Sequence, residues 1–384
     1  MKAAELIKIE PFAEILTTTV SRFLKLRFGG DWQVLWARNS RRAAGQLWIV
    51  NLNVNSVFRP GVNPRALEII KREFATSVIP WKRPFQRFYF WLATNETARA
   101  AAHAFVRIDP SIPDSTQWLM IPGTHKIRFV NAAEGVVYCH LKTGSSLDHF
   151  QAENDAREFA ADKGLPVPRI LEWLSDDCVA EEMIVGTPLN RLTSSKDSDA
   201  GLKCAMEAME LLYRSTAKQV DVEEYLADLV SRISVSAQTR REAALTGAET
   251  LGWRICESAG LAGFMVDIVR SHGDFQPGNI LFDHGAIWLI DWEYSKDRQR
   301  QYDRLTYYLK ARFAPGLGKR IVAYANSLSE LTRMRELRLF LVESIVFELE
   351  AASAAPSRCF SRSLSAILAE IEVAFNAVMR SCKA

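Results

Sequence analysis

His272-Gly273-Asp274-Phe275-Gln276-Pro277-Gly278-Asn279, then the apolar run Ile287 to Ile290 and Asp291-Trp292-Glu293, is the stretch on which the reading of this chain turns. An aspartate with an asparagine five residues on, and a second aspartate ending a short strand, supply one proton-accepting group and two oxygen ligands for a divalent cation. Phosphoryl transfer from ATP calls for that grouping, because its transition state is loose and the protein's part is to position groups and neutralise charge. Asp274 is the candidate base toward a substrate hydroxyl. Asn279, through its amide oxygen, and Asp291, through its carboxylate, are the candidate Mg²⁺ ligands. Gly273 and the Gln276-Pro277-Gly278 turn keep the loop out of helix, so that Asp274 and Asn279 can converge on one cavity. His272 is read as a brace for the loop, with service as an alternative base as the second reading. Glu293 stands between placing metal-bound water or substrate and pairing with a basic neighbour. A plain turn followed by a strand-end cap would use similar residues. Three such roles so close together, in a strand-turn-strand context, argue against it.

The chain around this motif has 384 residues, more than one hydrophobic core usually serves, so two or three domains or lobes are expected. With 48% hydrophobic and 24% charged residues it reads as an ordinary globular protein rather than a disordered one. A net charge of +3 is too small to imply nucleic acid or an anionic membrane as the main partner. The six cysteines are scattered, without a CxxC pair or a His/Cys cluster at metal-ligand spacing, which fits reduced structural thiols. Glu5, Lys8, Glu10 and Glu14 interrupt every apolar run near the start, so neither a signal peptide nor a membrane span is expected, and the expected location is cytoplasmic.

Periodicity predicts a helix over 13–26, strands at 34–36 and 47–54, and a helix over 63–74 opened by Asn63 as cap and Pro64 at the first helical position. It further predicts a strand at 87–92 and a helix over 95–106, closed by a linker at 109–115. Within that unit, residues 81–91 interleave basic and aromatic groups. A nucleic-acid or membrane surface would look so; a half-buried aromatic strand with a basic edge is the preferred reading. A hairpin follows at 126–130 and 136–142, then a helix over 147–163 and strands at 169–173 and 179–184. The remainder is mainly helical, with segments near 202–216, 222–233, 318–328, 334–352 and 364–379. The charged run 296–301 reads as a solvated loop, and Asp303 as a structural brace or helix cap.

With HGDFQPGNILF and IDWEY in view, the chain resembles the aminoglycoside phosphotransferase and choline kinase group, which shares the protein-kinase-like fold and carries HGD where protein kinases carry HRD. Gly164-Leu165-Pro166-Val167-Pro168-Arg169-Ile170-Leu171 resembles the group's "GxPVPxVL" turn, and residues 182–189 its hinge ending in "GxPL". The resemblance covers about residues 118–384. It implies an α+β, protein-kinase-like two-lobed fold, with a small β-rich lobe at 115–185 and a mainly helical lobe at 186–384. A small α/β or α+β accessory domain of 1–114 precedes it.

The resemblance also implies roles in the smaller lobe. Lys142 sits where the family keeps the lysine on the α- and β-phosphates, with Glu153 as its carboxylate partner and Glu158 in reserve. Gly123 and Thr124 lie in the reduced phosphate-covering loop, and the adenine lies against the hinge from Glu182 to Ile184. The activity implied is ATP- and Mg²⁺-dependent transfer of the γ-phosphate to a hydroxyl of a small molecule: a sugar, aminocyclitol, amino-alcohol or envelope glycan precursor. An aminoglycoside resistance kinase is one alternative. A protein kinase is another, against which no segment ending in APE follows Asp291. A non-catalytic kinase-like binding protein is the third, against which Lys142, Asp274, Asn279 and Asp291 are all retained.

Overall fold

The computed structural model describes residues 3–37, 45–74, 79–95, 100–239, 243–257, 263–328, 331–354 and 359–381. The strands in the first part of the chain are β1 (Gln33–Ala37), β2 (Gln46–Asn51), β3 (Ser56–Phe58), β4 (Ala104–Asp109) and β5 (Trp118–Pro122). Then come β6 (Lys126–Asn131), β7 (Val136–Leu141), β8 (Ile170–Ser175), β9 (Cys178–Glu182) and β10 (Thr187–Pro188). The later strands are β11 (Lys218–Asp221), β12 (Met265–Ser271), β13 (Ile280–Asp283), β14 (Ala286–Leu289) and β15 (Lys296–Gln299). The helices are α1 (Ala3–Leu6), α2 (Phe12–Phe28), α3 (Pro64–Phe74), α4 (Arg83–Thr94), α5 (Leu147–Asp162) and α6 (Ser195–Thr216). They continue with α7 (Val222–Thr239), α8 (Ala243–Glu257), α9 (Tyr302–Tyr308), α10 (Leu317–Asn326), α11 (Leu331–Ala354) and α12 (Cys359–Ser381). The chain divides into two compact units, one of Met1–Glu207 with Pro277–Ile290, the other of Ala208–Gln276 with Asp291–Ala384.

The first unit is built on one nine-stranded antiparallel sheet, in the order β1-β4-β2-β3-β5-β6-β7-β9-β8. Side chains alternate across each strand, so one sheet feeds two cores. Trp48 and Val50 of β2, Phe129 of β6 and Tyr138 of β7 join α1 and α2 on one face, where Phe23 stacks on Phe129 with ring centroids 3.8 Å apart. Ile49, Leu119, Val130, Val137 and Cys139 turn to the other face, under Ala66 and Ile70 of α3, Phe90 of α4 and Phe150 of α5. Asn63 accepts the Arg65 N–H at 2.8 Å, the cap expected of α3.

The division expected at 114/115 falls inside this sheet. Val57 and Phe58 of β3 pair with Met120 and Leu119 of β5, so the first strands extend the kinase-like sheet rather than forming a separate accessory domain. The pairing covers what would otherwise be the open edge of β5. The unit also runs on past 185 to Glu207.

Two expected elements exchange identity. Residues 87–92, read as a strand, lie in α4: Pro84 stands at its first turn, and Phe90, Ala93 and Thr94 make its buried stripe. The helix expected over 95–106 gives way, in its described part, to β4, which starts at Ala104. β4 lies between β1 and β2 and is buried on both faces from Ala104 to Ile108, so it shows no polar alternation. Residues 96–99 lie outside the described ones.

The second unit packs α7, α8, α10, α11 and α12 around one core, with the sheet β11-β12-β15 at its side. α11 runs through the middle, burying Leu337, Phe340, Leu341, Ile345 and Leu349. The 296–301 segment is no solvated loop: Lys296–Gln299 form β15 against β12, with Arg298 and Gln299 buried. α8 was not among the expected helices, whereas α9 opens where the helix was expected to follow Asp303.

A chain cut to residues 115–384 would expose the β5 edge and one face of Trp118, Phe129 and Tyr138. The expected outcome is loss of soluble, folded protein, measured by yield and circular dichroism; a cooperatively folding fragment would show that the shared sheet does not bind the two parts into one folding unit.

Candidate active site

In the second unit β12 ends at Ser271 and the chain turns through His272, Gly273 and Asp274. Gly273 has φ +87°, and a Cβ there would lie 2.0 Å from the Tyr294 carbonyl oxygen, so no side chain fits. The turn is pinned by Asp303 in the first turn of α9. The His272 N–H donates to Asp303 Oδ2 at 2.8 Å, the Gly273 N–H to Oδ1 at 2.9 Å, and the Tyr213 hydroxyl to Oδ2 at 2.9 Å. Asp303 is buried, so these three donors replace its water. Of the two readings, brace or cap, the brace is the one observed. Burial, reinforced by Asp303, pushes the Tyr213 phenol well above its ordinary pKa, so it stays a donor.

His272 is fully buried, with its ring 4.6 Å from that of Trp292. Its Nδ1 accepts the Asp274 N–H at 3.3 Å. That is a bracing arrangement. The Asp274 carboxylate accepts from Gln276 Nε2 at 2.8 Å on Oδ2 and from Arg312 Nε at 3.0 Å on Oδ1.

Arg312 was not singled out from the sequence. One of its terminal nitrogens donates to the Gly273 carbonyl at 2.7 Å and to the Tyr302 hydroxyl at 2.9 Å, and its guanidinium lies 3.2 Å over the Phe347 ring. Glu348 approaches to 3.7 Å. Burial disfavours the Arg312 charge, but Tyr302, Asp274 and Glu348 outweigh it and hold the guanidinium's pKa above its ordinary value. Burial also pushes the Glu348 carboxyl up to about 7, against the pull of Arg312.

Asp291 has φ +62°, a left-handed conformation that aspartate tolerates better than most residues. In the first unit Asn279 is buried at the end of a single helical turn, and its carbonyl accepts the Ile290 N–H at 3.0 Å. Ile290 is the residue before Asp291. The donors these two side chains bring are an amide oxygen and a carboxylate, hard oxygens of the kind Mg²⁺ takes.

The first unit pairs its lysines differently from the expectation. Lys142 is buried with Glu10 at 2.5 Å and the Gly123 carbonyl at 3.3 Å; Glu153 is paired with Lys126. Strand parity explains the exchange. Leu141 belongs to the core face shared with Phe150 of α5, and Lys126 is its cross-strand partner on the same face. Lys142 follows the strand's end. Burial lowers its ammonium pKa, with Glu10 opposing. The reserve residue Glu158 is exposed and accepts from Trp173 Nε1 at 3.3 Å. α5 itself is tied to the sheet by Arg157 and Glu181.

The Gly123 N–H donates to the Lys126 carbonyl at 2.9 Å and closes the β5–β6 turn, so it is engaged within the chain rather than offered to a phosphate. Thr124 is half-buried in that turn. His125 follows, with its ring 5.3 Å from that of His149; burial, and after it His149, bring its pKa down to about 4. Glu182 and Ile184 border a cavity of about 570 Å³, together with Met183, Trp288 and, from α3, Arg65 and Glu68. A terminal nitrogen of Arg72, also from α3, donates to the Val185 carbonyl at 3.1 Å and to Asp283 at 2.6 Å. The sequence reading did not give α3 any part in this wall.

The profile of the phosphotransferase enzyme family matches residues 128–337, more than half of the chain. The chain belongs to this family, and its fold is α+β and protein-kinase-like. The class of activity that goes with membership is phosphoryl transfer to a small molecule. A choline/ethanolamine kinase family protein of Mesorhizobium loti is similar in structure at 15% identity over 69% of this chain and 91% of its own, with a TM-score of 0.47. An aminoglycoside phosphotransferase of Streptomyces rimosus is similar at 15% identity over 60% and 92%, TM-score 0.38. An ethanolamine kinase of Plasmodium vivax is similar at 13% over 83% and 96%, TM-score 0.43. Comparison with curated protein sequences gives no match. No helix among the described residues is long and apolar enough to cross a membrane.

In the second unit, Glu343 of α11 accepts from the Gln299 N–H at 2.8 Å and from the Tyr225 hydroxyl, both on Oε1. Oε2 is buried with no partner among the described residues, and burial pushes the carboxyl up to about 7. The folded protein therefore keeps a proton that the unfolded chain releases near the ordinary carboxylate pKa. The stability this contributes is full below that pKa and is lost as pH rises through about 7. Thermal melts between pH 5 and 8 are expected to show a shallower fall for Glu343→Gln than for the parent chain; parallel curves would contradict the assignment.

Proposed function

We propose that this protein is an ATP-dependent kinase that transfers the γ-phosphate to a hydroxyl of a small molecule, a sugar, aminocyclitol or amino-alcohol. The observation that carries this reading is the catalytic loop. Asp274 is fixed by Arg312 and Gln276 on a turn that Asp303 pins, inside the segment matched by the family profile. Asp274 is a carboxylate, the kind of group that can accept a hydrogen bond from the acceptor hydroxyl and then take its proton. Arg312 orients the carboxylate, and its bond to the Gly273 carbonyl keeps the loop from swinging with it.

Asn279 and Asp291 would hold Mg²⁺, which when bound draws charge from the phosphate oxygens. The adenine would take the cavity beside Glu182 and Ile184, whose volume suits a nucleotide base and sugar. Lys126 is assigned to the phosphates in place of Lys142. A lysine held by a helix carboxylate is the arrangement kinases use there, and in this chain the pair is Lys126 with Glu153. Lys142, buried against Glu10, then serves the fold.

A small-molecule acceptor is favoured over a protein by the chain after Asp291. Only four residues separate it from β15, which pairs directly with β12, so no long activation segment intervenes.

The test is turnover of Mg-ATP against panels of sugars, amino-alcohols, aminoglycosides and generic protein substrates. Asp274→Asn is expected to lower kcat by roughly 10²–10⁴-fold. If no panel member is phosphorylated and Mg-ATP does not bind, the enzyme reading fails; aminoglycoside turnover would replace the acceptor class. The lysines are separated by ATP affinity: Lys126→Ala is expected to weaken nucleotide binding, while Lys142→Ala lowers the melting temperature and leaves binding near that of the parent. The reverse pattern would return the phosphate role to Lys142.

A further inference from the structure

The 81–91 segment takes no part in the site, and its structure is not the half-buried strand that its composition suggested. It is the helix α4 with the short turn before it, Pro80–Lys82. One side carries Phe90, Ala93 and Thr94 into the unit's core. Phe85, Phe88 and Trp91 recur every three residues on another side, with Trp81 four residues before Phe85, and they are 69%, 62%, 58% and 67% exposed. Two of these rings are ordered against each other: Phe88 and Trp91 stack at 5.9 Å between centroids. Lys82 Nζ lies 5.3 Å from the Trp81 ring. Four large aromatics on one outward face form a patch that a protein surrounded only by water does not keep without use.

The charges beside this face have one sign. Between Glu73 and Glu96 the sequence has no acidic residue, while Lys82, Arg83 and Arg87 are basic. Lys82 and Arg87 are exposed. Aromatic rings between basic side chains on a surface helix match the interface of an anionic bilayer, where rings enter the headgroup level and cations meet lipid phosphates. A second copy of the chain fits less well, because apposing two such faces would bring like charges together.

We propose that α4 and the preceding turn form a docking face for an anionic membrane surface, with Trp81, Phe85, Phe88 and Trp91 entering the headgroup region and Lys82, Arg83 and Arg87 on the lipid phosphates. The chain is thereby held on a bilayer without spanning it. This is independent of the acceptor and would stand if the acceptor class changed.

The experiment is flotation of the full chain with vesicles of phosphatidylcholine alone and of phosphatidylcholine mixed with phosphatidylglycerol. The parent is expected to float with the mixed vesicles at low salt, to be released at high salt, and to ignore the neutral ones. Replacing all four aromatics by serine, or combining Lys82→Glu with Arg87→Glu, is expected to abolish flotation, and each single neutralised charge to weaken binding about fivefold. All these residues are at the surface, so circular dichroism should be unchanged. The proposal is overturned if the parent does not float, if it floats equally with neutral vesicles, or if the variants float as the parent does. It is also overturned if sedimentation velocity shows a dimer that the serine variant makes monomeric, or if these residues bind an oligonucleotide and no vesicle.

Discussion

The Asp303 carboxylate is the contact on which the turn from His272 to Asp274 depends. It takes the N–H groups of His272 and Gly273 and the Tyr213 hydroxyl, and so decides where the backbone stands one residue before Asp274. A loop of this kind has no ladder of its own to satisfy its amides, and burial without Asp303 would leave them unpaired. The same constraint excludes any side chain at Gly273, whose backbone crosses close to the Tyr294 carbonyl. From the other side Arg312 ties the carboxylate of Asp274 and the carbonyl of Gly273 together, sandwiched between these and Phe347. Two buried ions of opposite sign therefore hold one short turn, an arrangement that favours geometry over net stability.

What could be read from sequence follows the distance over which each feature is encoded. Asp274, Asn279 and Asp291 lie in one local pattern, and the role of Asp303 was within reach because it opens the next helix. Arg312 lies 38 residues from its partner in an ordinary-looking segment, and only the packing of α9 and α11 brings it there. The Lys142 expectation followed motif order; attention to strand parity, with Leu141 and not Lys142 facing α5, would have pointed to the opposite hairpin strand. In α4, aromatic content outweighed the signal of Pro84 followed by a three-to-four-residue buried spacing. β4 went unread for the opposite reason, since a central strand covered on both faces has nothing to alternate.

The largest departure is architectural. The amino-terminal hundred residues are not an appendage: they lengthen the sheet that carries Lys126, supply Glu10 to Lys142, and give α3 to the wall of the hinge cavity. The family profile starts only at residue 128, so these contributions belong to a part of the chain that the family pattern does not describe.

The strand order in that sheet also has a consequence for synthesis. β4 inserts between β1 and β2, although some fifty residues of chain, including α3 and α4, separate it from β2. As the polypeptide emerges β2 can pair with β3, but β1 and the other edge of β2 must wait for β4, and the far edge of β3 for β5. A nascent chain that has passed α4 but not yet completed β4 thus carries open strand edges beside an aromatic helix, which makes this an interval of translation in which a holdase chaperone has something to protect.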